Sequence, residues 1–372
     1  VIVTTIDRDK AYMQSAINLA ARGLGLTWPN PAVGCVIVRD DKVIARGWTQ
    51  PGGRPHAESE ALRRAGKKAG GSTVYVTLEP CAHQGTTPPC AKALIDANVR
   101  RVVIGIKDPD PRVNGAGIKM LQEAGILVDV GIEKNDAKLI TGGFVKRQLE
   151  GRPLITLKLA TSLDGRIACH SGDSKWVTGE IARKSGHLLR ANHDGILVGA
   201  TTAARNNPTL TCRLPGMLDS SPIRIIVDGG MRLPEKNHLV LDAQKIPTWI
   251  FIIKKRSSEN RRKAYADAGV DVIEIDSDEE GNPDLIKVVT LLGDRGLTRV
   301  LVEGGGVMAA ALLKLGLVDE IFWYRASKII GGDGLPAIGG LGIEKMRSAQ
   351  CLEKISFDYV GDDIVERYRL VI

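Results

Sequence analysis

The sequence predicts an α/β protein of two domains, and three observations lead to this prediction. The chain has 372 residues, which is more than one hydrophobic core usually supports. Strand-like apolar runs alternate with segments of helical periodicity along the whole chain, a pattern that predicts sheets covered by helices on both faces. Glycine is frequent, with 42 residues, as suits a fold with many tight turns between strands and helices.

The first half of the chain predicts one complete strand–helix series. Helices are predicted over 7–22, 57–69, 89–97 and 117–124, and strands over 32–38, 43–48, 73–78, 101–106 and 127–130. The first two strands form a hairpin across residues 40–42. A charged helical segment, 133–151, ends at Gly151-Arg152-Pro153. We place the domain junction in this region and predict domains 1–147 and 148–372.

The second half begins a new series of strands and helices. Its strands are predicted over 153–160, 195–198, 223–227, 248–253, 270–275, 300–302 and 320–326. The charge-rich stretch 254–267 predicts a solvated loop and helix. The sequence shows no internal repeat and no low-complexity segment.

Composition argues against several classes of function. The net charge of +8 fits an anionic small substrate as well as simple solubility. Aromatic residues make up only 4% and no lysine/arginine-rich block occurs, which disfavours a nucleic-acid groove built on stacked aromatics. No secretory signal and no uncharged run of about 18 apolar residues is found. We expect a cytoplasmic protein that binds neither nucleic acid nor a membrane, and a homo-oligomer is compatible with the sequence.

Three short segments predict a metal centre: His56-Ala57-Glu58, Pro80-Cys81 and Cys90. Zinc prefers tetrahedral nitrogen and sulfur ligands, and a catalytic zinc site keeps three protein ligands and leaves the fourth position to water. One imidazole and two thiolates supply that set. Bound zinc lowers the pKa of its water toward neutrality and so generates hydroxide. We therefore predict that His56, Cys81 and Cys90 hold a catalytic zinc ion.

Glu58 is the candidate proton carrier of this centre. It lies two residues beyond His56, about 200° around an ideal helix, so it is near the metal without being forced to bind it. The pattern H-x-E…P-C-x-x-C is typical of zinc deaminases, but here eight residues, AHQGTTPP, separate Cys81 from Cys90. His83 within this loop is a rival ligand. Cys90 is favoured because it follows two prolines at a predicted helix start.

Other interpretations of these residues stay open. Any one of them alone is more often a satisfied histidine or a small buried cysteine. A structural zinc site would normally have four ligands. Two further hypotheses are a transfer-RNA adenosine deaminase, which shares the H-A-E and P-C elements, and a zinc-binding interaction module without catalysis. The long loop between the cysteines argues against the first, and the intact Glu58 against the second.

Four runs in the first half resemble one family closely. They are NPAVGCVIV (30–38), PHAESEAL (55–62), TLEPCAHQGTTPPCAKALI (77–95) and KDPDPRVNGAGI (107–118). Together they resemble the bifunctional deaminase–reductases of riboflavin biosynthesis, in which the TPPC spacing is the norm. The resemblance implies a cytidine-deaminase-like α/β/α domain. It also implies hydrolysis of the 2-amino group of 2,5-diamino-6-ribosylamino-4(3H)-pyrimidinone 5′-phosphate.

The resemblance continues through the second half, in LKLATSLDGRIA (157–168), SGDSKWVTG (171–179), HLLRANHDGILVGATT (187–202), NNPTLTCR (206–213) and VEGGG (302–306). It implies a dihydrofolate-reductase-like α/β domain that uses NADPH to reduce the ribosyl group of 5-amino-6-(5-phosphoribosylamino)uracil to ribityl. By matching position, the residues implied to face NADPH are Ala160, Trp176, Thr202, Asn206, Gly229, Gly305 and Gly306. Those implied to face the substrate are Ser174, Arg190, Leu210, Arg213 and Glu303. The family often has Asp at position 206, and a serine can occur at position 229.

The reductase residues also predict ligand contacts by their own chemistry. Glycines at a strand-to-helix turn, as after Glu303, let a backbone approach a pyrophosphate at a helix N-terminus. The spacing is not G-x-G-x-x-G, which disfavours a standard Rossmann domain. Glu303 could hold ribose hydroxyls or cap a helix. Arg190 and Arg213 suit a substrate phosphate, because guanidinium groups bind it bidentately. Lys158 and Asp164 flank a strand end and could line the site.

Overall fold

The protein is described by a computed structural model that covers residues 5–84, 88–110, 113–256 and 258–371. The chain forms two compact units, Val1–Gly151 and Arg152–Ile372. The junction predicted between residues 147 and 148 falls within the last helix of the first unit, which continues to Glu150. Within the described ranges, no helix has both the length and the apolar character that a membrane span requires.

The first unit is built on a five-stranded mixed sheet. Its strands are β1 (Gly34–Arg39), β2 (Lys42–Trp48), β3 (Thr73–Leu78), β4 (Arg101–Ile106) and β5 (Leu127–Val130). The order across the sheet is β2-β1-β3-β4-β5. Strand β1 is antiparallel to both β2 and β3, whereas β3, β4 and β5 are parallel. The C-terminal ends of β3 and β4 therefore lie side by side at one edge.

Five helices pack on this sheet in the described part of the unit, and their apolar residues complete its core. They are α1 (Thr5–Ala20), α2 (Ala57–Ala65), α3 (Cys90–Asp96), α4 (Ala116–Glu123) and α5 (Lys134–Glu150). Helix α2 is shorter than the predicted 57–69, because Gly66 has a left-handed φ of 54° and the next residues form a 3-10 turn. Two glycines in strands, Gly34 and Gly47, allow a helix to approach the sheet closely. A Cβ on Gly34 would lie 1.9 Å from the Ala16 carbonyl oxygen.

The second unit contains a nine-stranded sheet and a small two-stranded one. The strands are β6 (Leu154–Thr161), β7 (Arg166–Ala168), β8 (Gly195–Gly199), β9 (Ile223–Val227), β10 (Thr248–Ile253), β11 (Asp271–Ile275), β12 (Arg299–Val302), β13 (Glu320–Arg325), β14 (Leu335–Pro336), β15 (Leu352–Val360) and β16 (Asp363–Leu370). The large sheet has the order β11-β10-β9-β8-β12-β6-β13-β16-β15, and β14 pairs with β7. The first seven strands of this order, from β11 to β13, are all parallel to one another. Strand β16 is antiparallel to β13, and β15 is antiparallel to β16.

The helices of the second unit lie in the connections between its parallel strands. They are α6 (Glu180–Ala191), α7 (Ala200–Asn206), α8 (His238–Leu241), α9 (Glu259–Asp267), α10 (Leu285–Asp294) and α11 (Gly306–Lys314). Strands β8, β12 and β6 are adjacent at the centre, so their C-terminal ends meet at one edge. Ligands of open α/β sheets bind at such an edge. The hairpin of β15 and β16 was not predicted from the sequence.

Candidate functional site

Three metal-ligating atoms come together at the edge of the first sheet. The ligating atoms of His56, Cys81 and Cys90 all lie within 4.8 Å of one another. His56 immediately precedes α2, Cys81 lies three residues after the end of β3, and Cys90 is the first residue of α3. His56 Nδ1 is 3.3 Å from the Cys90 sulfur and 3.7 Å from the Cys81 sulfur.

This donor set fits a zinc ion. One imidazole nitrogen and two sulfurs are the ligands that zinc prefers, and three protein ligands leave one position open. A hydrogen bond from the Cys90 thiol lowers the pKa of Cys81 to about 4, and the backbone N–H of Cys90 also points at the Cys81 sulfur, at 3.3 Å. The same thiol–thiolate bond and burial raise the pKa of Cys90. The pair therefore favours one thiolate even before a metal adds its charge.

The loop between the two cysteines is described only in part. Residues 85–87 of the eight-residue loop that separates Cys81 from Cys90 lie outside the described residues. His83, the rival ligand, is not a member of the three-atom group among the residues that the structure describes. Its Nδ1 is buried and has no hydrogen-bond partner within those residues.

Glu58 lies in the first turn of α2, beside the three ligands. Its side chain is buried, with 4% of the residue exposed. Burial raises the pKa of Glu58 to about 7, against the opposing effect of the neighbouring His56 charge. The Cys90 thiol is within hydrogen-bonding reach of the carboxylate. The carboxylate is thus near the metal-ligating atoms and is not one of the three in the group.

A buried ion pair marks the second unit. Arg190 of α6 meets Glu303, which directly follows β12, through two parallel hydrogen bonds. Arginine Nε donates to Oε1 at 2.7 Å and Nη2 donates to Oε2 at 2.9 Å. The third nitrogen, Nη1, donates to the Thr211 carbonyl at 3.0 Å. The charges of Arg190 and Lys158 overcome the effect of burial and lower the pKa of Glu303 to about 2.

Lys158 completes this cluster from the neighbouring strand β6. Its Nζ lies 3.9 Å from Glu303 Oε2 and 5.7 Å from the centre of the Tyr324 ring. Burial lowers the pKa of Lys158, and the charge of Glu303 opposes this shift. Ala160 lies two residues further along β6 and is half-buried, as Lys158 is, so the two share one face of the strand. Tyr324, which the sequence did not single out, pairs with Ala160 across the sheet.

Arg213 and Leu210 lie on the segment that follows α7. Arg213 is exposed, and its Nη1 donates to the Thr209 hydroxyl at 3.2 Å. It is close enough to Arg190 for their charges to interact. The Leu210 side chain is buried in the hydrophobic core, and this residue has a left-handed φ of 55°. A ligand contact at Leu210 would therefore involve its backbone more than its side chain.

Five of the seven residues implied to face NADPH lie at or after the C-terminal ends of parallel strands: Ala160, Thr202, Gly229, Gly305 and Gly306. Thr202 is in the first turn of α7, and a Cβ on Gly305 would lie 3.6 Å from its hydroxyl. Gly306 is packed closely, because a Cβ there would lie 2.7 Å from the Pro336 carbonyl oxygen. Gly229 follows β9 and faces Pro283 and Ile253, each within 3 Å of where its Cβ would be. A serine at position 229 would need these two neighbours to move.

The remaining predicted residues are more exposed. Asn206 is the last residue of α7 and is exposed. Ser174 and Trp176 lie on an exposed segment between β7 and α6. The Arg183 guanidinium stacks on the Trp176 ring at 4.6 Å, and Lys328 Nζ donates to the Trp176 carbonyl at 2.8 Å. The ion-pair cluster is thus formed by Lys158, Arg190 and Glu303, with Ser174 and Trp176 on a separate segment.

Family models match both units. A model described as the cytidine and deoxycytidylate deaminase zinc-binding region matches residues 6–106, and one described as the RibD C-terminal domain matches residues 153–365. The chain is 40% identical over 358 residues to the riboflavin biosynthesis protein RibD of Bacillus amyloliquefaciens, covering 96% of this chain and 95% of that protein. It is also 40% identical over 368 residues to the Escherichia coli (strain K12) protein of the same name, covering 96% and 98%.

Solved structures agree over the full length. Acinetobacter baumannii RibD, form 1, superposes with a TM-score of 0.87 at 36% identity, covering 99% of this chain and 100% of that one. A Thermotoga maritima protein, titled a diaminohydroxyphosphoribosylaminopyrimidine deaminase/5-amino-6-(5-phosphoribosylamino)uracil reductase, superposes with a TM-score of 0.85 at 32% identity, with the same coverage.

Proposed function

The chain belongs to the RibD family of riboflavin-biosynthesis proteins, and from this premise we propose its two substrates. The protein is a bifunctional enzyme, a hydrolytic deaminase and a reductase, with zinc and NADPH as its cofactors. Its two domains are cytidine-deaminase-like and dihydrofolate-reductase-like. We assign to the first domain the deamination of 2,5-diamino-6-ribosylamino-4(3H)-pyrimidinone 5′-phosphate. The second then reduces the ribosyl group of 5-amino-6-(5-phosphoribosylamino)uracil to ribityl.

The grouping of the ligating atoms of His56, Cys81 and Cys90 within 4.8 Å of one another, with Glu58 beside them, carries the deaminase assignment. A zinc ion held there supplies a Lewis acid that lowers the pKa of a bound water to about 7. Glu58 is the proton carrier. Its carboxylate accepts a proton from the water that attacks C2 and passes it to the adjacent ring nitrogen. It then takes the second proton from the hydroxyl now on C2 and gives it to the amino group, so that the C2–N bond breaks, a C2 carbonyl forms and ammonia leaves.

The ion-pair cluster supports the reductase assignment. NADPH bound in this domain would supply the hydride that C1′ of the ribosyl group receives. Opening of the ribose ring also requires a proton on O4′, so the net reaction adds one hydride and one proton. Lys158 is the proton source in this proposal, because its half-buried side chain on β6 places Nζ 3.9 Å from Glu303 Oε2. Arg190 holds the Glu303 carboxylate in one orientation, and Glu303 in turn orients the lysine and the ribose.

The roles of the remaining residues are proposals on the same basis. Thr202, Gly305 and Gly306 surround the N-terminus of α11, where backbone N–H groups suit the cofactor's pyrophosphate. The other proposed cofactor contacts are Ala160, Trp176, Asn206 and Gly229. Ser174, Leu210 and Arg213 are the further proposed substrate contacts. We propose domains 1–147 and 148–372 for the two activities, with the observed division after Gly151 close to that junction.

The second domain disfavours the two other classes of function considered from the sequence. A transfer-RNA deaminase or a zinc module without catalysis would not need a reductase domain, and the RibD C-terminal model matches residues 153–365.

All six cysteines are free thiols, which supports a reducing compartment such as the cytoplasm.

Metal removal tests this function on the full chain. With the diaminopyrimidinone phosphate as substrate, we expect a chelator to stop ammonia release, and added zinc to restore it. With the already deaminated substrate, NADPH oxidation should continue in the metal-free protein, because the ion-pair cluster contains no metal ligand set. Ammonia release at an undiminished rate from a zinc-free protein would refute the deaminase proposal. Failure to oxidise NADPH with the deaminated substrate would refute the reductase proposal.

A further inference from the structure

A buried carboxylate lies next to the metal centre and has no part in the mechanism above. Glu79 follows the last residue of β3 and precedes Pro80 and the ligand Cys81. Only 3% of the residue is exposed. Its carboxylate accepts three backbone hydrogen bonds: Oε2 from the N–H of Asp108 at 3.1 Å and of Gly115 at 3.0 Å, and Oε1 from that of Ile118 at 3.1 Å.

These donors belong to the chain that follows β4. We call the described residues 107–110 and 113–115 the post-β4 segment. Ile118 lies in the first turn of α4, whose N-cap residue is Gly115 and offers no side chain to accept the free N–H groups. A helix N-terminus needs such acceptors and favours a negative charge. Glu79, which is distant in sequence, supplies α4 with an acceptor and a negative charge. It also fixes the post-β4 segment at Asp108 and at Gly115.

The post-β4 segment borders the metal centre. The Asp108 carboxyl is buried and is close enough to Cys81 for their charges to interact. This carboxyl also accepts the backbone N–H of Asp110 at 2.8 Å. Helix α4 touches the residue before the ligand, because a Cβ on Gly117 would lie 2.1 Å from the Pro80 carbonyl oxygen. The post-β4 segment and the start of α4 therefore lie beside the metal ligand Cys81.

The metal ligands are held by other bonds. The backbone N–H of Glu79 donates to the Ile106 carbonyl at 3.0 Å, which continues the pairing of β3 and β4. The Cys81 carbonyl accepts the N–H of Ala91 at 3.2 Å. The Cys81 sulfur accepts the N–H of Cys90. None of these bonds involves the Glu79 side chain, so loss of the carboxylate leaves the position of Cys81 defined.

We propose that Glu79 is a positioning residue for the deaminase substrate: its carboxylate holds the post-β4 segment as one wall of the pyrimidine pocket. The metal ligands do not depend on it. The proposal rests on the deaminase function proposed above. A wall contributes equally to binding of the substrate and of the transition state, so its displacement raises KM while kcat stays nearly constant.

The test compares Glu79→Gln with the unaltered full-length enzyme. A glutamine offers one acceptor oxygen and turns an NH₂ group toward at least one N–H donor, so at least one bond is lost. We expect KM for the diaminopyrimidinone phosphate to rise about tenfold, the effect of losing one or two charge-assisted bonds. The value of kcat, one zinc per chain, and NADPH oxidation with the deaminated substrate should all be retained. The absorption spectrum of the cobalt-substituted protein, which reports thiolate ligation, should be unchanged.

Two further variants make the result specific. Asp9→Asn removes another buried carboxylate of the same unit, which accepts Arg101 at 2.9 and 2.7 Å and the Tyr75 hydroxyl at 2.6 Å, away from the post-β4 segment. Its KM should stay at the wild-type value even if stability falls. Gly117→Ala keeps the Glu79 carboxylate, but its Cβ would lie 2.1 Å from the Pro80 carbonyl oxygen and 3.3 Å from Glu79 Oε1. It should displace α4 and raise KM as Glu79→Gln does.

Three outcomes would overturn the proposal. An unchanged KM in Glu79→Gln would mean that the segment does not border the substrate. Loss of zinc or a changed cobalt spectrum would mean that Glu79 positions the metal ligands instead. An equal rise of KM in Asp9→Asn would mean that general destabilisation is the cause. In each case the unaltered enzyme would still release ammonia, so the proposed function is tested separately.

Discussion

Two arginines near the Glu303 carboxylate differ in what holds their guanidinium groups. In Arg190 all three nitrogens donate hydrogen bonds, two to Glu303 and one to a backbone carbonyl. Arg213 is exposed and donates from Nη1 to the Thr209 hydroxyl. A planar guanidinium binds phosphate bidentately only if two of its N–H groups can turn to it. Arg213 is therefore the better candidate for the substrate phosphate, and Arg190 for the orientation of Glu303.

This difference predicts the effect of Arg213→Ala on the reductase. We expect KM for the phosphorylated, deaminated substrate to rise about tenfold or more, since one charge-assisted contact is lost, with kcat little changed. Steady-state NADPH oxidation measures both constants. With the dephosphorylated substrate the variant and the wild type should have the same KM. Arg347→Ala, at an exposed position of the same unit, is the control for the loss of charge. An unchanged KM with the phosphorylated substrate would remove Arg213 from the site.

At the scale of elements, the position of α2 depends on a glycine in β2. A Cβ on Gly47 would lie 2.2 Å from the Ala57 carbonyl oxygen and 2.6 Å from the Ala61 backbone nitrogen. Helix α2 begins directly after His56 and carries Glu58 in its first turn. Any displacement of this helix therefore shifts the imidazole and the carboxylate relative to the two cysteines.

Gly47→Ala should consequently destabilise the first unit and weaken deamination. Overpacking of this kind typically costs about 1–3 kcal/mol in the free energy of unfolding, and a shift of catalytic groups lowers kcat. Denaturant unfolding and ammonia release measure the two effects, whereas NADPH oxidation with the deaminated substrate should be unchanged. Gly70→Ala is the matched control, because its nearest neighbours would be 3.8 Å from the new Cβ. Equal behaviour of the two variants would contradict this account of α2.

The buried strands were the easiest elements to predict from the sequence. Strands β3, β4, β5, β9 and β10 lie at their predicted bounds. Four of these five are nearly continuous apolar runs, as strands covered on both faces usually are. The hairpin of β15 and β16 was missed for the opposite reason. Ile355, Phe357 and Tyr359 alternate with Ser356 and Asp358, but every residue of β15 is exposed or half-exposed, so the strand is not the buried apolar run by which the other strands were recognised.

The chemistry of the metal centre was predictable because its residue types and their order are characteristic. The role proposed for Glu79 was not predictable, since its three donors lie 29, 36 and 39 residues away in the sequence. The same holds for the bidentate pair of Arg190 and Glu303, which are 113 residues apart. Each of these residues was visible as a charge, but only the fold shows which groups it meets.

At the scale of the whole molecule, the residues that we propose for the two activities form separate sets. The three metal-ligating residues and Glu58 all belong to the first unit, and the cluster of Lys158, Arg190 and Glu303 belongs to the second. Each unit has its own sheet and its own helices. Substitutions confined to one unit should therefore leave the chemistry of the other intact, which makes the reductase an internal control for every deaminase variant.

The central claim, that Glu58 carries protons beside a zinc ion that it does not bind, is tested most directly by the variant Glu58→Gln in the full chain. Its zinc content, its rate of ammonia release and its rate of NADPH oxidation are measured together. The account predicts one zinc per chain, because Glu58 is not a ligand, and a loss of ammonia release of about 10²- to 10⁴-fold, the usual contribution of a general acid–base group. NADPH oxidation with the deaminated substrate should equal that of the wild type. Ammonia release at a near wild-type rate, with zinc still bound, would contradict the account.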